Sequence, residues 1–245
     1  MDDLIKQFEK LQTEDTGKMF EMAICMAYGI PYDGPYKYDL EKPKVLADRL
    51  KLLTEVFPMC SHTARKGARY DFTAVGDETQ HLSAKTTKKG IGKVAPQVLG
   101  QCQPQKLCVL LNIEWTDTPT LKKYIQENIE TILPVCADHT FDCPNIFYNE
   151  KHNTIQYITQ ETPIEWGQYD YTWSRTWDKW NNSAVVKITP KSSAPATASA
   201  SPLKTKPIPL MEFQFHSKNR TNVAIRWFYG NCLSVFKGAL KVRVM

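Results

Sequence analysis

The chain of 245 residues has no apolar run near the roughly 18 residues needed to cross a bilayer, and no basic start leading into an apolar stretch. Neither a membrane span nor a secretory signal is expected, and a cytoplasmic location is. Internal repetition is missing too, which excludes solenoids and propellers. Cysteine is too scattered for a small disulfide scaffold. The seven (Cys25, Cys60, Cys102, Cys108, Cys136, Cys143, Cys232) are an odd number and read as reduced thiols in a chain with no export signal. On the same ground the sequons Asn181-Asn182-Ser183 and Asn219-Arg220-Thr221 carry no expectation of glycosylation. Nor is there a large excess of charge of one sign. Lys and Arg total 31 against 26 Asp and Glu, a formal net charge of +5 that permits a polyanionic partner without requiring one.

What is present is an ordinary globular composition, 42% hydrophobic and 23% charged, in a chain long enough to bury a sizeable core. Leu4, Phe8, Leu11, Met19, Phe20, Ala23, Ile24 and Ala27 recur at helical spacing and predict a helix over 2–28, interrupted at Thr16-Gly17. YGIPYDGPYKY then reads as a loop, and 43–57 as a second helix opening at Pro43. Residues 69–75 and 81–87 read as paired strands about a turn at Gly76-Asp77-Glu78-Thr79. KVAPQVLGQCQ (93–103) is expected to form a short helix, KLCVLLNIEW (106–115) a strand covered on both faces, and 118–133 an amphipathic helix. Further strands are expected near 154–159 and 184–190. This order predicts an α/β fold with a central mixed sheet flanked by helices. KSSAPATASASPLKTKP (191–207) cannot form a core and reads as a flexible linker. It would divide a core domain, 1–190, from a segment 208–245 whose LMEFQFHSKNRTNVAIRWFYGN reads as a hairpin packed on that core.

Several groups of residues invite chemistry. Strands pair about 4.8 Å apart, so an acid on one strand of a hairpin and a lysine on its partner can converge on one point, as Asp71 and Lys85 would. The same pair would equally serve as a solvated cross-strand ion pair. KTTKKGIGK places Lys88, Lys89 and Lys93 just beyond, where they would neutralise DNA phosphates or simply be solvated. In the terminal hairpin Glu212, Gln214 and His216 alternate with Phe213 and Phe215. Gln and Arg carry paired donors that match base edges in the major groove. Gln214, His216, Lys218, Arg220, Asn222 and Arg226, with Gln97 upstream, are therefore candidates for DNA contact. Cys136, His139, Cys143 and His152 are ligand types that suit zinc, in an order that fits no standard finger. WGQYDYTWSRTWDKW would stack on bases, fill a core or support a dimer.

Asp71 followed by Ser83-Ala84-Lys85 resembles the signature of the PD-(D/E)xK nuclease superfamily. GKMFE, with Glu21 on the first helix, resembles the acid that many members carry there. EFQFHSKNRTNVAIRW (212–227) is similar to a segment near the carboxyl end of several type II restriction endonucleases. The resemblance implies a restriction endonuclease-like core, cleavage of double-stranded DNA at a short site with Mg²⁺, 5′-phosphate and 3′-hydroxyl ends, and action as a homodimer. It assigns Asp71, the Ala84 carbonyl and Glu21 to the metal and Lys85 to the attacking water. Ser83 departs from the pattern, since the family usually has an acid there. The site is then one negative charge short unless Glu21 compensates; Glu78 lies in the turn, and Gln97 and Gln101 are neutral. Two other outcomes stay open: a DNA-binding or regulatory protein of this fold that does not cut, and a structural protein with a solvated basic loop.

Overall fold

In the computed structural model residues 13–36, 39–64, 68–191, 206–216 and 221–245 are described, with side chains from residue 15 onward. The expected linker and the expected sites Lys218 and Arg220 lie almost wholly or wholly outside these residues. The strands in chain order are β1 Cys60–His62, β2 Phe72–Ala74, β3 Asp77–Thr87, β4 Lys93–Val94, β5 Gln101–Cys102, β6 Asn145–Asn149, β7 Thr154–Gln160, β8 Tyr169–Trp173, β9 Ser183–Pro190, β10 Ile208–Phe215, β11 Val223–Phe228 and β12 Leu240–Val244. The described helices are α1 Thr13–Tyr28, α2 Glu41–Leu50, α3 Pro104–Leu110, α4 Thr118–Glu127, α5 Ile129–Phe141 and α6 Tyr229–Val235. Two compact units result: Met1–Val94 with Phe141–Glu161 and Leu240–Met245, and Ala95–Thr140 with Thr162–Ala239. The division expected from composition runs along the chain, whereas these units interleave.

The first unit is α/β. Its sheet has the order β1-β2-β3-β6-β7-β12, antiparallel at every step except the parallel pair β3–β6. A parallel pair needs a long crossover, and the chain supplies one by passing through the second unit between β3 and β6. Apolar residues at helical spacing on α1 (Met19, Phe20, Ala23, Ile24) and on α2 (Leu46, Leu50) form one core with Phe72, Leu82, Ile146 and Ile155 of the sheet. α1 passes through Gly17 without the expected interruption. A Cβ there would come within 3.8 Å of Thr86 Oγ1, so the helix lies close on β3 and packing outweighs glycine's poor propensity. The hairpin turn is tighter than expected: Val75 and Gly76 form it, Gly76 at φ +85°, and β3 starts at Asp77.

The second unit carries an antiparallel array β8-β9-β10-β11, with β5 also paired to β11. The expected terminal hairpin is β10–β11, in register from Met211↔Trp227 to Phe215↔Val223. The tryptophan-rich stretch is largely core. Trp180 is buried against Phe213 and Phe215, Trp173 lies beside Trp180, and Trp166 packs on Trp227 and Phe236. Trp227 Nε1 donates to Thr140 Oγ1 at 2.8 Å, and Thr140 donates in turn to the Cys136 carbonyl at 2.6 Å, all in the interior. Thr140→Val strands the indole N–H, so it is expected to lower the free energy of unfolding by about 1–3 kcal/mol in a denaturant titration.

Three expectations are corrected. Residues 106–115 are not a strand: Pro104 starts a helix, Leu107 and Cys108 are buried, Val109 is 76% exposed, and Asn112 at φ +54° follows the helix end. Only one side of the apolar run is covered, which is why it need not be a central strand. Residues 93–103 are not a helix, because Pro96, Val98 at φ +61° and the turn through Gly100 leave only β4 and β5. The helix expected over 118–133 is two, divided where Asn128 leaves helical geometry.

Candidate active site

The β2–β3 hairpin positions the acid. Phe72 pairs with Leu82, so one step back places Asp71 opposite Ser83. Asp71 Oδ2 accepts hydrogen bonds from the Ala84 backbone N–H at 2.7 Å and from Ser83 Oγ at 2.9 Å. Its main-chain carbonyl accepts from the N–H groups of Thr63 at 2.8 Å and Ala64 at 3.1 Å. The two preceding residues are anchored as well. Arg69 Nη2 lies 2.9 Å from Asp142 Oδ2, the Tyr70 hydroxyl donates to the same carboxylate, and the Tyr70 ring stacks on His81 with centroids 3.8 Å apart. The carboxylate of Asp71 is thus held from its side chain, its backbone and its neighbours, leaving Oδ1 outside the bonds that fix it.

Lys85 lies two residues beyond Ser83, hence on the same side of β3, and is half-buried. Glu21 reaches in from α1. Its Oε2 stands 3.3 Å from His62 Nε2, and the His62 ring is held between Tyr32 and Phe72, each 5.2 Å away between centroids. Burial pushes the Glu21 carboxyl above its ordinary value; the His62 hydrogen bond opposes this, the charge of Asp71 adds to it, and Lys85 pulls the other way. Glu21, Asp71, Lys85 and His62 therefore share one local field. Such a set brings two carboxylates and an ammonium into one partly desolvated place, with the Ala84 N–H bound to one of the carboxylates.

Ser83 does not stand in for an acid. It is fully buried and its hydroxyl donates to Asp71, so it orients that carboxylate. Glu78 is exposed, and Gln97 and Gln101 do not share a helix. Gln97 is 5% exposed with its N–H on the His139 carbonyl at 2.7 Å, so it is not presented to a duplex in this conformation. Lys89 and Lys93 are exposed and Lys88 half-buried on the stretch after β3. On the hairpin, Arg226 Nη1 donates to Gln214 Oε1 at 3.1 Å and lies 3.6 Å from Glu212 Oε2, so these candidates engage one another. His216 and Asn222 line a groove of about 390 Å³ with Gln103, Trp115, Lys122 and Asn181.

The zinc ligands do not assemble. Among the described residues no three His, Cys, Asp or Glu gather so as to hold a metal, and all seven cysteines are buried and unbridged. Burial pushes the Cys143 thiol up to about 12 and raises that of Cys136 as well, the opposite of what a thiolate ligand needs. Sequence reasoning missed His62 and Arg69. Arg69 is adjacent to Tyr70 and Asp71 in the string, a signal that was available. His62 stands 41 positions from Glu21 and gave none.

Among the described residues no helix is long and apolar enough to cross a membrane. No protein-family model matches the chain, and no solved structure matches it. The chain is similar to the "Type II restriction enzyme CviAII" of Paramecium bursaria Chlorella virus 1, with 36% identity over 238 residues, covering 96% of this chain and spanning 64% of that protein's length.

Proposed function

We propose that the chain is a site-specific endonuclease of the type II restriction class, cutting double-stranded DNA with Mg²⁺ through a PD-(D/E)xK-type site and acting as a homodimer. The observation that carries this is the convergence of Asp71, fixed by Ala84 N–H and Ser83 Oγ, with Lys85 and Glu21 in one half-buried cluster. The similarity to a type II restriction enzyme over nearly the whole chain supports it independently. Two acids forced together in a partly desolvated place repel each other, and a divalent cation would relieve that repulsion. The donor set fits: Asp71, Glu21 and the Ala84 carbonyl would hold the ion, which when bound neutralises charge on the phosphoryl group and lowers the pKa of an attacking water.

The protein's own groups do the rest. Lys85 orients the water and stabilises negative charge developing on the phosphate, while Ser83 and Ala84 keep Asp71 in place. The new bond is from water oxygen to phosphorus, and the bond broken is from phosphorus to the 3′ oxygen. That oxygen leaves with a proton as the 3′-hydroxyl, and the other end keeps a 5′-phosphate. Lys88, Lys89 and Lys93 suit backbone phosphates, and His216, Asn222, Gln214 and Arg226 suit the DNA-facing part of the second unit.

The test is incubation with mixed-sequence plasmid DNA and Mg²⁺, followed by sequencing of fragment ends. Discrete fragments with one common terminal sequence are expected. Duplex binding without cutting would instead identify a regulatory DNA-binding protein of this fold, and no binding at low salt would remove DNA as the partner. Ser83→Ala should lower the free energy of unfolding by about 1 kcal/mol and reduce cleavage about tenfold or less, since a hydrogen bond to Asp71 is lost but Ala84 N–H still holds it.

A further inference from the structure

Sequence alone separates the lysine-rich stretch after β3 from Lys151-His152 by some sixty positions, yet the fold joins them. β3 and β6 run parallel in register from Ser83↔Asn145 to Thr87↔Asn149, so the segments that leave both strands emerge at the same end of the sheet. The Glu150 N–H donates to the Thr87 carbonyl at 2.9 Å, and Asn149 Nδ2 donates to the Gly90 carbonyl at 3.4 Å. Over Gly90 a lysine and a histidine side chain then meet. A Cβ on that glycine would lie 3.0 Å from His152 Nε2 and 3.6 Å from Lys151 Nζ. The bare backbone of Gly90 is what leaves room for both tips. Lys151 and His152 are exposed, as is Lys89 beside them, and Glu150 is the only acid in the 149–153 turn.

We propose that Gly90, Lys151 and His152, with Lys89, form a binding site for a single backbone phosphate of DNA next to the one being cut. This rests on the nuclease reading above and adds to it Lys151 and His152, which belong neither to the basic run nor to the signature residues. Polar side-chain tips converging over a half-buried glycine backbone suit a tetrahedral anion. Position supports it as well. The two-residue advance along β3 from Lys85 to Thr87 covers about 7 Å, comparable to two base-pair rises of about 3.4 Å along a duplex. A strand of DNA with one phosphate at Lys85 would therefore bring a phosphate one or two positions along to the end of β3.

The measurement is affinity for mixed-sequence duplex DNA, without divalent metal, as a function of salt for the full chain and for the double variant Lys151→Ala/His152→Ala. One lost phosphate contact should reduce the slope of log affinity against log salt by about 0.9 and weaken binding several-fold at low salt, with an unchanged melting temperature. Lys42→Ala, an exposed lysine on α2, should leave the slope as it is. If the unmodified chain binds duplex with a steep salt dependence and the double variant has the same slope and affinity, this site is wrong while the nuclease reading stands. If the unmodified chain does not bind duplex at all, the nuclease reading itself fails. Equal losses for the double variant and for Lys42→Ala would also overturn the site, since net charge alone would then explain them.

Discussion

Lys85→Ala is expected to lower cleavage by about a thousandfold or more while leaving duplex binding within about threefold. Lys85 is half-buried on the side of β3 that carries Ser83, opposite Asp71, so removing its ammonium takes away the group proposed to handle the water and phosphate charge. Its loss leaves intact the hydrogen bonds that fix Asp71 and should cost little stability. The companion substitution needs more care. Asp71→Ala would strand the Ala84 N–H and the buried Ser83 hydroxyl, at about 1–3 kcal/mol, so loss of activity there would mix chemistry with local unfolding. Asp71→Asn keeps an acceptor for Ala84 and removes the charge, and should abolish cutting with binding retained. Single-turnover cleavage and filter binding on the same preparations separate the two effects. Retention of more than a tenth of the wild-type cleavage rate in Lys85→Ala would remove the lysine from the mechanism.

How much of this was legible in the string depended on range. The hairpin that carries Asp71 and Lys85 was readable because its geometry is local: two short runs, a glycine turn, and a register that the turn sets. α1 and α2 were readable because apolar residues repeat at helical spacing, and the β10–β11 hairpin because Phe213 and Phe215 alternate with polar neighbours. β6 was not readable. NIFYN has asparagines at both ends and only three apolar residues between, yet all five residues are buried because β6 sits between β3 and β7, a placement decided by partners distant in sequence. The 106–115 run failed for the complementary reason: an apolar string says that burial is wanted somewhere, and Pro104 with a single covered face turned it into a helix. Around Asp71, the hairpin spacing places Lys85 on the strand opposite, whereas the contacts of His62 and Asp142 are ones that only the assembled sheet creates.

Glu21→Gln is expected to make the protein more stable and much less active. The Glu21 carboxyl is raised above its unfolded value chiefly by burial and further by Asp71. Between the unfolded and folded values the folded state holds the extra proton, so stability falls as pH rises through that window, and above the folded value the charged side chain works against the fold. The neutral amide removes that penalty and can still hydrogen-bond to His62. A gain of about 1 kcal/mol at neutral pH is expected in metal-free buffer, seen as a melting temperature higher by about 2–4 °C. The decline of melting temperature with pH across the mildly acidic range should also be shallower in the variant. Cleavage should fall by about a hundredfold or more, because a neutral ligand cannot offset a divalent charge. A solvated surface glutamate predicts neither change, and a variant that is less stable, or that cuts at the wild-type rate, would take Glu21 out of the site.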